Sequence, residues 1–186
     1  MKTLFIALIS LISFSSYALE LGYEVGGVII EKSGSHITDV ESKAITVKFP
    51  FNEEGFIVDG IVGVRDTKLN SDKKIIQEIN GQKVSVQLPE GGVGSIIIGV
   101  EGREYFNGSI FDLEQVIRAD YEMVQSNYMN KGGATGYENR LNLDDHATLS
   151  YGMNVVLARK LVMGIKIDVD TNNGDKTLSL NLGARF

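Results

Sequence analysis

From Leu19 to the last residue the chain alternates apolar and polar side chains with a period of two. That period sends successive side chains to opposite faces of an extended strand, so each run reads as a strand with one apolar face. The final stretch, TLSLNLGARF, sets Leu178, Leu180, Leu182, Ala184 and Phe186 on one face. Thr177, Ser179, Asn181 and Arg185 share the other. Leu19, Leu21, Tyr23, Val25 and Ile29 alternate with Glu20 and Glu24. Ile45, Val47, Phe49 and Phe51 alternate with Thr46 and Lys48, and Phe56, Val58, Val62 and Val64 with Asp59 and Arg65. Further on, Leu149 to Leu157 and Leu161 to Val169 repeat the pattern around a tight turn at 158–160. A soluble sandwich also alternates, with its apolar face inward. Here the polar faces are charged in mid-strand, at Glu24, Lys48, Asp59 and Lys166, and the apolar faces run on over five or more positions. That combination favours an enclosed polar face and an apolar face turned outward.

The beginning of the chain has a different character. Met1 and Lys2 precede the apolar run TLFIALISLISF, then SSYALE, in which Ser16 and Ala18 are the small residues a signal peptidase reads. Residues 1–18 are therefore expected to be a cleaved secretory signal peptide, and 19–186 one domain. The run is shorter than the roughly 20 residues of a membrane-spanning helix, and no later stretch reaches that length. With no Cys, the chain has neither disulfides nor thiolate metal sites. A formal net charge of -6 offers no basic groove for nucleic acid. Two Pro against 21 Gly, with no linker-like tract, argue for one continuous domain.

An alternating last strand that ends in an aromatic residue, Phe186, behind a signal-like start resembles the small outer-membrane β-barrel proteins of Gram-negative bacteria. The likeness rests on residues 1–18 and the last 40 residues, and on general pattern between them. It implies an all-β fold, a closed antiparallel transmembrane up-and-down barrel of 8–10 strands, in the cell outer membrane. It also implies outer-membrane lipid around the leucines and a lumen containing Asn181 and Arg185. The assembly machinery would read the C-terminal strand ending at Phe186.

Strands are expected near 19–31, 43–51, 56–67, 73–79, 82–88, 93–106, 109–123, 141–157, 161–170 and 176–186. Short periplasmic turns would fall at PFNEEG, Asn80-Gly81, Asn107-Gly108 and 158–160. Asn-Gly suits a two-residue hairpin, whose residues both need positive φ. Such a turn at Asn107-Gly108 places Arg103 opposite Asp112. Two stretches leave the number open between ten and eight. The pair 73–79 and 82–88 is short, and 109–123 could also form an amphipathic helix through Ile110, Leu113, Ile117, Tyr121, Val124 and Tyr128.

A barrel of this size is filled by its own side chains. Glu20, Glu24, Lys48, Asp59, Arg65, Arg103, Asp112, Glu114, Arg118, Asp120, Lys166, Asp168 and Arg185 are the expected lumenal charges. They are read as a structural ion-pair network, with a narrow selective channel as the alternative. In LNLDDHATLS, Asp144 and His146 share the expected lumenal face with Ser150, and Asp168 and Asp170 lie across the hairpin. An Asp that orients a His beside carboxylates is a general-base arrangement. It is similar to that of the omptin proteases, but the chain is far shorter and its carboxylates sit on adjacent strands. A rim hydrolase is the second alternative, and the expectation is no enzyme, no cofactor and no metal. By parity His146 and Ser150 point inward, which argues against lipid hydrolysis. DVDTNNGD places Gly late for a calcium loop and lacks the closing Glu, so it reads as a turn. The loops KSGSHITDVESK and MVQSNYMNKGGATGYENR are the expected surface for an extracellular ligand.

Overall fold

A computed structural model describes residues 19–29, 40–52, 55–69, 74–87, 90–108, 110–130, 144–172, 174 and 176–186. Among them are β1 (Glu20–Ile29), β2 (Val40–Pro50), β3 (Ile57–Leu69), β4 (Lys74–Ile79) and β5 (Gln82–Gln87). β6 (Glu90–Phe106), β7 (Phe111–Asn130), β8 (His146–Leu157), β9 (Leu161–Asp170) and β10 (Lys176–Arg185) follow. Eight of these close an antiparallel barrel in the order β1-β10-β9-β8-β7-β6-β3-β2, with β2 returning to β1.

Of the two strand numbers left open, eight and ten, the described residues give eight. β4 and β5 pair only with each other. At six residues each they are too short to cross a bilayer, which takes roughly 9–11. β3 pairs with β6 along its whole length, from Ile57↔Arg103 to Leu69↔Gly91, and leaves no edge for them. Their turn is the expected Asn-Gly type, with φ of 53° at Asn80 and 79° at Gly81. It lies at the end of the barrel opposite to the 51–56 and 158–160 turns, however, and not on their side as expected, because the hairpin joins the far ends of β3 and β6. The helical alternative for 109–123 also falls, since β7 is a strand of 20 residues.

The turn after β6 differs as well. Phe106 pairs with Leu113, so the connection is longer than two residues, and Arg103 faces Val116 rather than Asp112. Asp112 instead accepts the Gly108 N–H at 3.2 Å. At 158–160 the chain turns tightly, with Lys160 N donating to Leu157 O at 3.0 Å and positive φ at Ala158 (49°) and Arg159 (60°). The 51–56 turn is braced by Asn52, whose side chain donates to Phe56 O at 2.8 Å and accepts from Val58 N at 2.7 Å. In DVDTNNGD, Asp170 Oδ1 accepts the Asn172 N–H and Gly174 N donates to Asp170 O, the bonds of a turn.

Face assignment follows the alternation. Leu178, Leu180 and Leu182 are exposed on the outside, with Ile165, Ile167 and Met163 beside them. Glu20, Glu24, Thr46, Lys48, Asp59, Lys166, Asp168 and Ser179 are buried inside. Near the rim that carries the 51–56 turn, Phe49 lies over Gly60 and Phe56 over Gly102, each ring filling the space a Cβ would need. Rings laid over outward-facing glycines keep the sheet surface covered there.

Two predictions follow from these assignments. Leu180→Arg should destabilise the barrel in lipid vesicles by roughly 2–4 kcal/mol, and Asn181→Arg by less, as read from urea unfolding. Arg159→Gly should raise stability by about 1 kcal/mol in the same titration, because it removes a side chain from a left-handed position.

Candidate functional site

Closure of eight strands brings charges distant in sequence into one narrow lumen. At the end carrying the 51–56 and 158–160 turns, Arg185 of β10 donates from Nε to Glu20 Oε2 of β1 at 2.6 Å, across the seam where first and last strands pair. Arg185 Nη2 also reaches Glu114 Oε2 at 2.8 Å. Lys48 Nζ lies 3.0 Å from Glu20 and 2.7 Å from Glu101. Arg103 holds Asp59 from two nitrogens, at 2.5 and 2.8 Å. Tyr105 Oη accepts from Arg103 at 3.1 Å and from Arg185 at 2.8 Å.

Higher in the lumen, Glu24 is the hub. Its carboxylate accepts from Arg118 of β7, meets Lys166 Nζ of β9 at 2.8 Å and has Arg65 of β3 at 3.6 Å. Arg118 Nε also donates to Asp120 at 2.6 Å. Arg65 reaches on to Glu122, which accepts from Ser95 at 2.9 Å. Glu101 and Glu122 were not among the expected lumenal charges. Both lie on the inward parity of their strands, at 2% exposure, so alternation alone was enough to find them.

Among the described residues eight apolar side chains share this interior: Ala44, Ile57, Ile61, Val93, Ile97, Val116, Val156 and Val162, each buried. Ile57 and Val156 also line a cup of about 830 Å³ at the same end, together with Pro50, Phe56, Arg103, Tyr105 and Arg185. The cup thus ends against the lowest ion-pair layer and its isoleucine and valine.

The rim candidates separate. His146 opens β8 and faces inward, with Nε2 3.7 Å from Asp170 Oδ2 and 3.9 Å from Glu122 Oε1. Asp144 precedes the strand and is exposed, so it does not share the lumenal face. It meets His146 Nδ1 through its backbone carbonyl, at 3.0 Å, not through its carboxylate. Asp168 sits deeper, accepting from Ser150 and Ser179 at 2.6 Å each and lying 3.2 Å from Lys166. Ser150 is thereby committed to Asp168. The structure brings His146, Asp170 and Glu122 together and leaves Asp144 and Asp168 outside that group. Most of the two candidate loops lies outside the described residues.

No protein-family model matches the chain, and no curated protein matches it. Solved structures do. A designed transmembrane β-barrel aligns at TM-score 0.55 and 9% identity, covering 92% of this chain and 98% of that one. The outer-membrane enzyme PagL aligns at TM-score 0.55 and 8% identity, over 88% of this chain and 97% of its own. Ail, the attachment invasion locus protein of Yersinia pestis, aligns at 0.46 and 10%, over 91% and 97%. The fold is that of a small transmembrane β-barrel. Identities this low speak for the fold alone.

A buried ion whose partner is removed costs about 3–5 kcal/mol, since the remaining charge stays out of water. Glu24→Ala leaves three cations without their shared carboxylate, so it should destabilise the barrel by at least that much. Urea unfolding in vesicles, compared with the exposed Glu41→Ala, measures the difference.

Proposed function

We propose that the chain is a non-conducting β-barrel of the bacterial outer membrane, with a structural or interaction role exercised on its outer side. One observation carries this reading: beyond the cup at one end, the lumen is crossed by interlocked ion pairs and buried aliphatic side chains. Such a filling leaves no wide aqueous path, and barrels of eight strands have room for little else.

Strand length supports the outer side as the working surface. β1, β9 and β10 have 10 residues each, near the length that crosses a membrane, whereas β3 has 13, β6 has 17 and β7 has 20. At ~3.4 Å per residue, the excess of β6 and β7 raises a sheet roughly 20–30 Å above the shorter strands. The β4–β5 hairpin continues from it.

Topology and conduction test the proposal together. The chain has no Cys, so single replacements label without background. Asn80→Cys should react with an impermeant maleimide on intact cells, and Arg159→Cys only after the outer membrane is opened. Purified protein in planar bilayers should show no steps; discrete steps would return the narrow-channel alternative. The rim reading is tested by His146→Ala, which should leave folding and any peptide cleavage by intact cells unchanged. Cleavage lost in that variant, with the barrel intact, would favour a hydrolase.

A further inference from the structure

The raised part of the barrel carries a patch that the filled lumen does not explain. Above Val124 the register of β7 slips by one: Ser95 pairs with Val124 and Gly94 with Ser126, so Gln125 has no opposite residue. Such a bulge shifts every later side chain to the other face. Below it, Glu122 and Asp120 point into the lumen; above it, Ser126 and Tyr128 point outward.

The outward side chains of four strands then form two rows in direct register. The upper row is Glu41, Lys68, Gly92 and Tyr128, and the lower is Lys43, Asp66, Gly94 and Ser126. Signs alternate in both directions, with Lys43 Nζ 2.6 Å from Glu41 and Lys68 Nζ 2.9 Å from Asp66, all four side chains about half exposed. Gly92 gives the Tyr128 ring room to lie over the strand, where a Cβ would stand 2.7 Å from it, and the residue stays 51% exposed. The Ser126 hydroxyl lies over Gly94 in the same way.

The row beneath is wholly apolar: Ile45, Val64, Ile96 and Met123. One strand step of two residues is about 7 Å along a strand tilted by roughly 35–45°, so the two polar rows stand about 5 and 10 Å above the topmost lipid-facing row. That is headgroup depth on the outer leaflet, given the membrane orientation proposed above.

We propose that this patch is a binding platform for the sugar of a saccharide-bearing lipid in the outer leaflet. A pyranose ring has an apolar C–H face that suits an exposed aromatic ring. Its vicinal hydroxyls both donate and accept, and alternating ammonium and carboxylate groups meet both needs. The quartet carries no net charge, which favours recognition of the sugar over simple attraction to an anionic lipid. The position directly above the apolar row selects a lipid-borne sugar over a soluble one.

The test uses the full chain in phosphatidylcholine nanodiscs, with or without short-chain lipopolysaccharide, or with phosphatidylglycerol as an anionic lipid lacking a saccharide. Because the chain has no Trp, Tyr128→Trp supplies a single indole reporter at the platform. Its emission should shift with lipopolysaccharide and not with phosphatidylglycerol. The glycolipid should also raise the unfolding temperature of the wild type. Tyr128→Ala and Lys68→Ala should each weaken the interaction, on the order of tenfold for the ring, while remaining heat-modifiable on gels as folded barrels do. An equal response to phosphatidylglycerol, an undiminished response in folded Tyr128→Ala, or equal binding of the free oligosaccharide overturns the proposal. Failure of the wild type to insert into any disc overturns the outer-membrane reading beneath it; insertion without a glycolipid response overturns the platform alone.

Discussion

Glu24 connects more of this barrel than any backbone pairing does. Strand neighbours are joined by hydrogen bonds only to the next strand, but this one carboxylate on β1 engages Arg118 of β7, Lys166 of β9 and Arg65 of β3. Buried charges out of water are tolerated only when each finds partners of the opposite sign. Glu24 can be satisfied only with the barrel closed, since its partners come from strands on three sides of it. The seam obeys the same logic one layer down, where Glu20 and Arg185 are both cross-strand neighbours and an ion pair. Closure and charge compensation are one event here, and a partly closed sheet would leave these groups unpaired.

This dependence accounts for the division of chemistry between the two faces. Lipid accepts apolar side chains at any position, so the outer face is written in Leu, Ile, Val and Met with little demand on identity. The interior has to balance by position, and its residues are long enough to meet across the lumen. Small residues make that crossing feasible. A Cβ on Gly99 would collide with the Asp120 carboxylate, and one on Gly164 with the side chains of Asn154 and Asn181. Where no charge is needed, Val156 and Val162 stand inside opposite each other. Apolar identity did not send them outward, because parity along a continuous strand overrules the preference of any one residue.

The barrel itself was legible in the sequence for this reason. Alternation is a backbone property, and it marked Leu180 as outward and Asn181, Lys166 and Glu24 as inward without knowledge of any partner. What could not be read was which strands become neighbours. The β4 and β5 runs look like strands and are strands, but only the full-length pairing of β3 with β6 excludes them from the wall. Asn107-Gly108 has the composition of a two-residue turn, yet Phe106 and Leu113 pair around a wider one, and the Arg103–Asp112 register fell with it. At the rim, the step from Asp144 to His146 suggested a shared face. β8 begins only at His146, so the alternation that would place Asp144 inside does not extend to it. Local spacing was a sound guide inside strands and a poor one at their ends.

The bulge at Gln125 shows how a single unpaired residue sets the limit of the membrane code. Below it, even-numbered residues of β7 fill the lumen; above it, they face outward. Without the slip, Tyr128 would point toward the barrel axis, above the level where β8 stops pairing with β7 at Glu122. With it, the ring joins Lys68 and Glu41 in one outward row while β6 and β7 stay hydrogen-bonded from Glu90↔Asn130 downward. The raised sheet therefore keeps the paired register of the wall beneath it while its outward face turns polar. A surface so held loses little conformational freedom on meeting a partner, which is the advantage of building recognition on strands and not on loops.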